Sequence, residues 1–164
     1  ICFVPCRSCQ VLFLLLAFAV AGVFVFVLNS QASLKKGALF DPQNLEVVAL
    51  GKSIYNETCA SCHGVNLEGQ PNWKRPNSQG MLPAPPHDNT GHTWHHTDEL
   101  LFGITKYGLA EFSGLKNHKT GMPIYKDILS DAEIIAELSY IKSTWPTDII
   151  LRHDEMNAIN ADTQ

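Results

Sequence analysis

The chain has 164 residues, 45% of them hydrophobic, with 12 Lys and Arg against 16 Asp and Glu and a formal net charge of -4. With no basic excess, no basic stripe and no recognisable nucleic-acid module, binding to a phosphate backbone has no support. Much of the apolar content stands in one block near the start, so one small domain remains after it.

Residues 1–10 form a short leader carrying Cys2, Cys6 and Cys9, for which the sequence offers no role. Acylation beside a membrane segment is one reading, and free thiols in an unstructured leader is the preferred one. Residues 11–28 run for 18 positions without a polar side chain. That reaches the length of a membrane span and exceeds the apolar region of a cleaved leader. A transmembrane anchor is therefore expected, with a signal cut near Ser30-Gln31-Ala32 as the other reading. Arg7 on one side and Lys35 and Lys36 on the other leave the orientation undecided by charge.

Residues 29–40 read as a polar tether, and residues 41–146 as the folded domain. Asp41-Pro42 carries helix-start chemistry: a side-chain oxygen for orphan amides and a residue without an amide hydrogen. A helix over about 42–60 follows, with Leu45, Val48, Ala49, Ile54 and Tyr55 at helical spacing. The glycine, proline and asparagine of 64–87 predict coil. Residues 97–109 predict a second helix, opened by Asp98 and Glu99 and closed by Gly108. Ser130-Asp131-Ala132-Glu133 is a capping box that starts a further helix, whose Ile134, Leu138, Ile141 and Trp145 share a face and which Pro146 ends. Residues 147–164 read only as a polar tail. The expected fold class is all-α.

The chemistry is concentrated in Cys59-Ala60-Ser61-Cys62-His63, the attachment signature of a c-type haem. Two thiols on one helical turn can both add to the vinyl groups of a porphyrin, and the adjoining His63 can reach the iron. A second axial ligand is expected at Met122, within Gly121-Met122-Pro123-Ile124-Tyr125; a thioether there favours ferrous iron. A zinc site at Cys59 and Cys62 is disfavoured, because no second cysteine pair completes four ligands. Trp73 and Trp94 combine an apolar body with one N–H donor, which suits a porphyrin wall and a propionate, and Trp94 is the better candidate. His92, His95 and His96 are read as an ordinary polar segment, since adjacent imidazoles point apart and no carboxylate or thiol joins them. His118, four residues before Met122, is a rival axial ligand.

On the Cys-x-x-Cys-His and Gly-Met-Pro motifs, residues 41–146 resemble the class I monohaem cytochrome c family. The resemblance implies an N-terminal helix ending in the haem motif and crossing a C-terminal helix, with Gly51, Tyr55 and Tyr140 at the crossing. One departure is Glu137, where the family is usually apolar; either the helix is rotated there or Leu138 takes over the contact. It also implies that a proline carbonyl accepts the proximal N–H of His63, with Pro85 chosen from Pro83, Pro85 and Pro86. Haem attachment in such proteins takes place outside the bacterial cytoplasm or in the mitochondrial intermembrane space, so the domain is expected there.

The function implied is one-electron transfer by one covalently attached haem c with His63/Met122 ligation, between redox partners at a membrane, and no catalysis. Rival readings are a permanently bound haem subunit of a larger membrane dehydrogenase or oxidase, and a haem-based ligand sensor. Lys116, Lys119 and Lys126 around Met122 suggest a docking edge for an acidic partner.

Overall fold

The computed structural model describes residues 37–112, 114 and 119–163. The expected membrane segment, the leader cysteines, Lys116 and His118 lie outside these residues. Among the described residues all regular structure is helical, and no helix is long and apolar enough to cross a membrane.

The first described residues are tied to distant parts of the chain. The amides of Leu39 and Phe40 donate to Asp98 Oδ2 at 2.7 and 3.1 Å, and that of Asp41 donates to Ser139 Oγ at 3.0 Å. Asp41 and Pro42 therefore do not open a helix as expected. They form a turn in which the Asn44 amide donates to the Asp41 carbonyl at 3.3 Å. An acidic residue followed by proline suits the first two positions of a turn as well as a helix start. Helix α1, Leu45–Thr58, is capped instead by Asn44, whose Oδ1 accepts from the amides of Glu46 and Val47.

A short α2, Ala60–His63, follows directly and ends where Gly64 takes φ +83°, a value that strains any residue with a Cβ. After a long coil and a single 3-10 turn at Thr93–His95 comes α3, Asp98–Tyr107, capped by the Thr97 hydroxyl and closed by Gly108. Next are α4, Leu109–Phe112, and α5, Asp131–Ser143, which starts on the Ser130/Glu133 capping box.

α1 and α5 cross with their backbones touching. A Cβ placed on Gly51 would stand 1.9 Å from the Ala136 carbonyl oxygen. The rings of Tyr55 and Tyr140 pack beside this crossing, centroids 5.6 Å apart. Glu137 does not rotate outward: it is 3% exposed and Leu138 is 4% exposed, so both lie inside. Burial pushes the Glu137 carboxyl up to about 8, opposed in part by a hydrogen bond with Cys59.

Residues 147–164, read as a polar tail, are helical over Thr147–Asp162 (α6). α6 buries Ile149, His153 and Asn157, one residue per turn on one side. Two of these three are polar, so hydrophobic spacing carries little signal. Their partners are distant in sequence. Asn157 accepts from the Asp98 amide at 2.8 Å and donates to Asp98 Oδ1 at 2.9 Å, while His153 Nε2 donates to the His96 carbonyl at 2.8 Å. Lys142, 1% exposed, reaches Asp154 at 2.6 Å and Asp98 at 3.8 Å. The interior charges are thus paired and hydrogen-bonded, which is the condition for tolerating them. α5, covered by α1 on one side and this network on the other, is buried along most of its length.

Candidate haem-attachment site

Cys59 stands at the junction of α1 and α2, with Cys62 on the next turn; both are free thiols, Cys59 half-buried and Cys62 exposed. Burial, and then the neighbouring Glu137, push the Cys59 thiol up to about 12. The Thr58 hydroxyl lies 3.3 Å from its sulfur.

His63 closes α2 and is 8% exposed. Its Nδ1 donates to the Pro85 carbonyl at 2.9 Å, since a carbonyl can only accept. The lone pair therefore sits on Nε2. Burial holds this imidazole below its usual range, with the Pro85 bond opposing. A metal-binding histidine is held in this way, with one nitrogen bonded to a carbonyl and the other left to the metal.

Pro85 reaches His63 because the coil is folded tightly behind it. The Gln70 amide donates to the Ala84 carbonyl at 2.8 Å, and the Ala84 amide donates to Gln70 Oε1 at 2.9 Å. The His87 amide donates to the Leu67 carbonyl at 2.8 Å. Two glycines permit the fit: a Cβ on Gly69 would lie 2.4 Å from Pro86 N, and one on Gly91 would lie 2.0 Å from the Pro86 carbonyl.

Trp94 is half-buried and stacks on His95 with centroids 3.6 Å apart. Its Nε1 is buried and has no hydrogen-bond partner, alone among the buried side-chain polar atoms of the described residues. Trp73 instead stacks on His92 at 5.2 Å. The three clustered histidines diverge: His95 lies on Trp94, and His92 meets His96 edge-on at 5.3 Å. No group of three or more His, Cys, Asp or Glu that could hold a metal ion occurs among the described residues.

Met122 is half-buried and packs against the core. Its segment is tied down by Tyr125, whose amide donates to the Thr105 carbonyl at 3.2 Å and whose hydroxyl donates to the Thr58 carbonyl at 3.0 Å. The methionine stretch is thereby joined to α3 and to the residue preceding Cys59. Burial, with Cys59 next, pushes the Tyr125 phenol up to about 12.

Sequence reasoning assigned no role to Tyr125 or His87. Tyr125 lay in the Gly-Met-Pro segment, and its spacing from the methionine was the only available signal. His87 ended the proline segment and gave none.

These residues fit a covalently attached haem. Two free thiols adjoin a buried imidazole whose tautomer leaves Nε2 available, and the orphaned indole N–H of Trp94 suits a carboxylate. The model of the family described as Cytochrome c matches residues 48–145. The chain belongs to the cytochrome c family. The match runs from α1 to Trp145 and leaves α6 outside it. Comparison with curated proteins and with solved structures finds no match. Membership implies covalently bound haem c and supports an electron-transfer protein, not a catalytic enzyme.

Proposed function

We propose that this protein carries one haem c on Cys59 and Cys62, with His63 and Met122 as axial ligands, and passes single electrons between redox partners at a membrane. The observation that carries the reading is the His63–Pro85 hydrogen bond of 2.9 Å, which directs the free nitrogen of a buried imidazole away from the backbone. A bound haem supplies the ferrous/ferric couple.

The chain's own contribution is to hold and to exclude water. Pro85 keeps His63 in one tautomer. Tyr125 anchors the segment that carries Met122, and Trp94 would offer its N–H to a propionate. Tyr55, Tyr140 and Leu138 belong to the buried apolar core that carries the motif. Fixed ligands in a dry interior keep structural change small when the iron changes charge.

The uninterrupted apolar run at 11–28 supports an anchor, and the haem motif supports placement on the periplasmic or intermembrane-space side. An anchor would raise the effective concentration of the domain near a membrane-bound partner.

The test is the mass and absorption spectrum of the holoprotein in both oxidation states. A mass gain of one haem, together with the weak far-red band of ferric iron bound to methionine that disappears in Met122→Ala, is expected. Attached haem without that band would transfer the sixth position to another ligand or leave it open, and would overturn the Met122 assignment.

A further inference from the structure

We propose that His87 is a positioning residue for His63, setting the plane of the axial imidazole by stacking on its face. The inference rests on the haem reading above and adds a residue to it.

The two rings lie with centroids 4.0 Å apart and planes inclined by 20°. That is a stacked pair of rings. The Pro85 hydrogen bond alone does not determine the ring plane. It fixes one atom of His63 and its tautomer, and the ring can still turn about the line from Nδ1 to the carbonyl. A flat group against the face removes that freedom.

His87 is itself held firmly enough to serve as the reference. Its amide donates to the Leu67 carbonyl and its carbonyl accepts from Trp145 Nε1, each at 2.8 Å. Its Nδ1 pairs with the Thr93 hydroxyl at 2.8 Å, and the Thr93 hydroxyl lies 3.4 Å from the Pro86 carbonyl. The Tyr55 ring meets it edge-on with centroids 6.4 Å apart. The sequence Pro85-Pro86-His87 thus places two controls on His63: a carbonyl at the edge of the ring and an imidazole on its face. Stacking requires only a planar ring here, so the role does not depend on His87 changing its protonation.

The experiment compares ferric wild-type holoprotein with His87→Ala, His87→Phe and Thr93→Val. It reads the spread of the hyperfine-shifted haem methyl resonances and the g-value anisotropy, both of which respond to the orientation of an axial imidazole. The expected result is a changed methyl spread in His87→Ala, a smaller change in the same direction in Thr93→Val, and near restoration in His87→Phe, which keeps a flat ring. If His87→Ala does not accumulate, the Thr93→Val shift decides. Unchanged spectra in the variants, even with lowered thermal stability, would reduce His87 to a packing residue and overturn the proposal. Wild-type protein that attaches no haem would overturn the haem reading, and this inference with it.

Discussion

The Tyr125 hydroxyl donates to the Thr58 carbonyl at 3.0 Å across a separation of 67 residues. The bond joins the methionine segment to the end of α1, one residue before the first thiol of the haem motif. Among the described residues it links the two proposed axial regions directly, and with the Tyr125 amide on the Thr105 carbonyl it ties down the segment that carries Met122.

Tyr125→Phe is therefore expected to loosen Met122 more than it unfolds the domain. Loss of one such bond costs about 1 kcal/mol. The expected outcome is a modest fall in the urea midpoint together with faster displacement of Met122 from iron by added imidazole, followed by loss of the far-red band. Equal displacement rates in variant and wild type would disconnect the phenol from the ligand loop.

Glu137 makes stability depend on pH. Its carboxyl rises from the ordinary value of 4.5 to about 8, so the folded protein holds a proton that the unfolded chain releases. The contribution is fully present below about 4.5 and is lost as pH rises through about 8, at about 1.4 kcal/mol per pH unit between them. Urea titrations across that range should show wild-type stability declining, and Glu137→Gln, which stays neutral, declining much less. Parallel curves would place the proton elsewhere.

Asn157 bonds to both the amide and the carboxylate of Asp98 and lies 3.3 Å from His153 Nδ1. Asn157→Leu keeps comparable bulk and removes all of these partners, so groups that are buried become unsatisfied. A destabilisation of about 2–3 kcal/mol is expected, because each orphaned buried polar group costs about 1–3 kcal/mol. Fragmentation by a protease between α5 and α6 should accelerate at the same time. A loss below about 0.5 kcal/mol, the scale of an ordinary surface substitution, would mean that α6 is held by its apolar contacts.

At the helix crossing, Gly51→Val forces a branched side chain into the Ala136 carbonyl. Overpacking of this kind typically costs about 1–3 kcal/mol. Backbone makes the contact here and cannot swing aside, so the upper end or beyond is expected in thermal melts. Haem yield should fall in step. Ala136→Gly should not rescue the variant, since the clash is with a carbonyl and not with a side chain.

Lys119 and Lys126 flank Met122 and are exposed. If electrons leave near this segment toward an acidic partner, replacing both by Glu should slow exchange several-fold at low salt, and the difference should shrink as salt screens it. A rate indifferent to both charge and salt would move the exit elsewhere.

Local chemistry made much of this molecule readable. The capping box at Ser130, the stop at Gly108 and the Cys59–His63 motif are decided within a few residues, and each occupies the element expected of it. The start of α1 was misread because Asp41-Pro42 satisfies a turn and a helix cap equally. The Asp41 amide is taken by Ser139, far away in sequence, and Asn44 supplies the helix cap three residues later.

α6 escaped detection for a related reason. Two of its three buried residues, His153 and Asn157, are polar and find partners on His96 and Asp98, so no hydrophobic period marks the buried side.

By itself, then, the sequence determined the haem motif, the helical class and the helix boundaries that caps and glycines enforce, because these depend on short-range stereochemistry and on the close spacing of a few residues. Pro85 was the proline expected at His63, and only the tertiary structure decided that His87 lies on its ring, that Glu137 stays inside, and that the last 16-residue helix belongs to the folded body. Those outcomes turn on pairings between distant segments, where a buried polar group is tolerated only if its partner arrives from elsewhere in the chain.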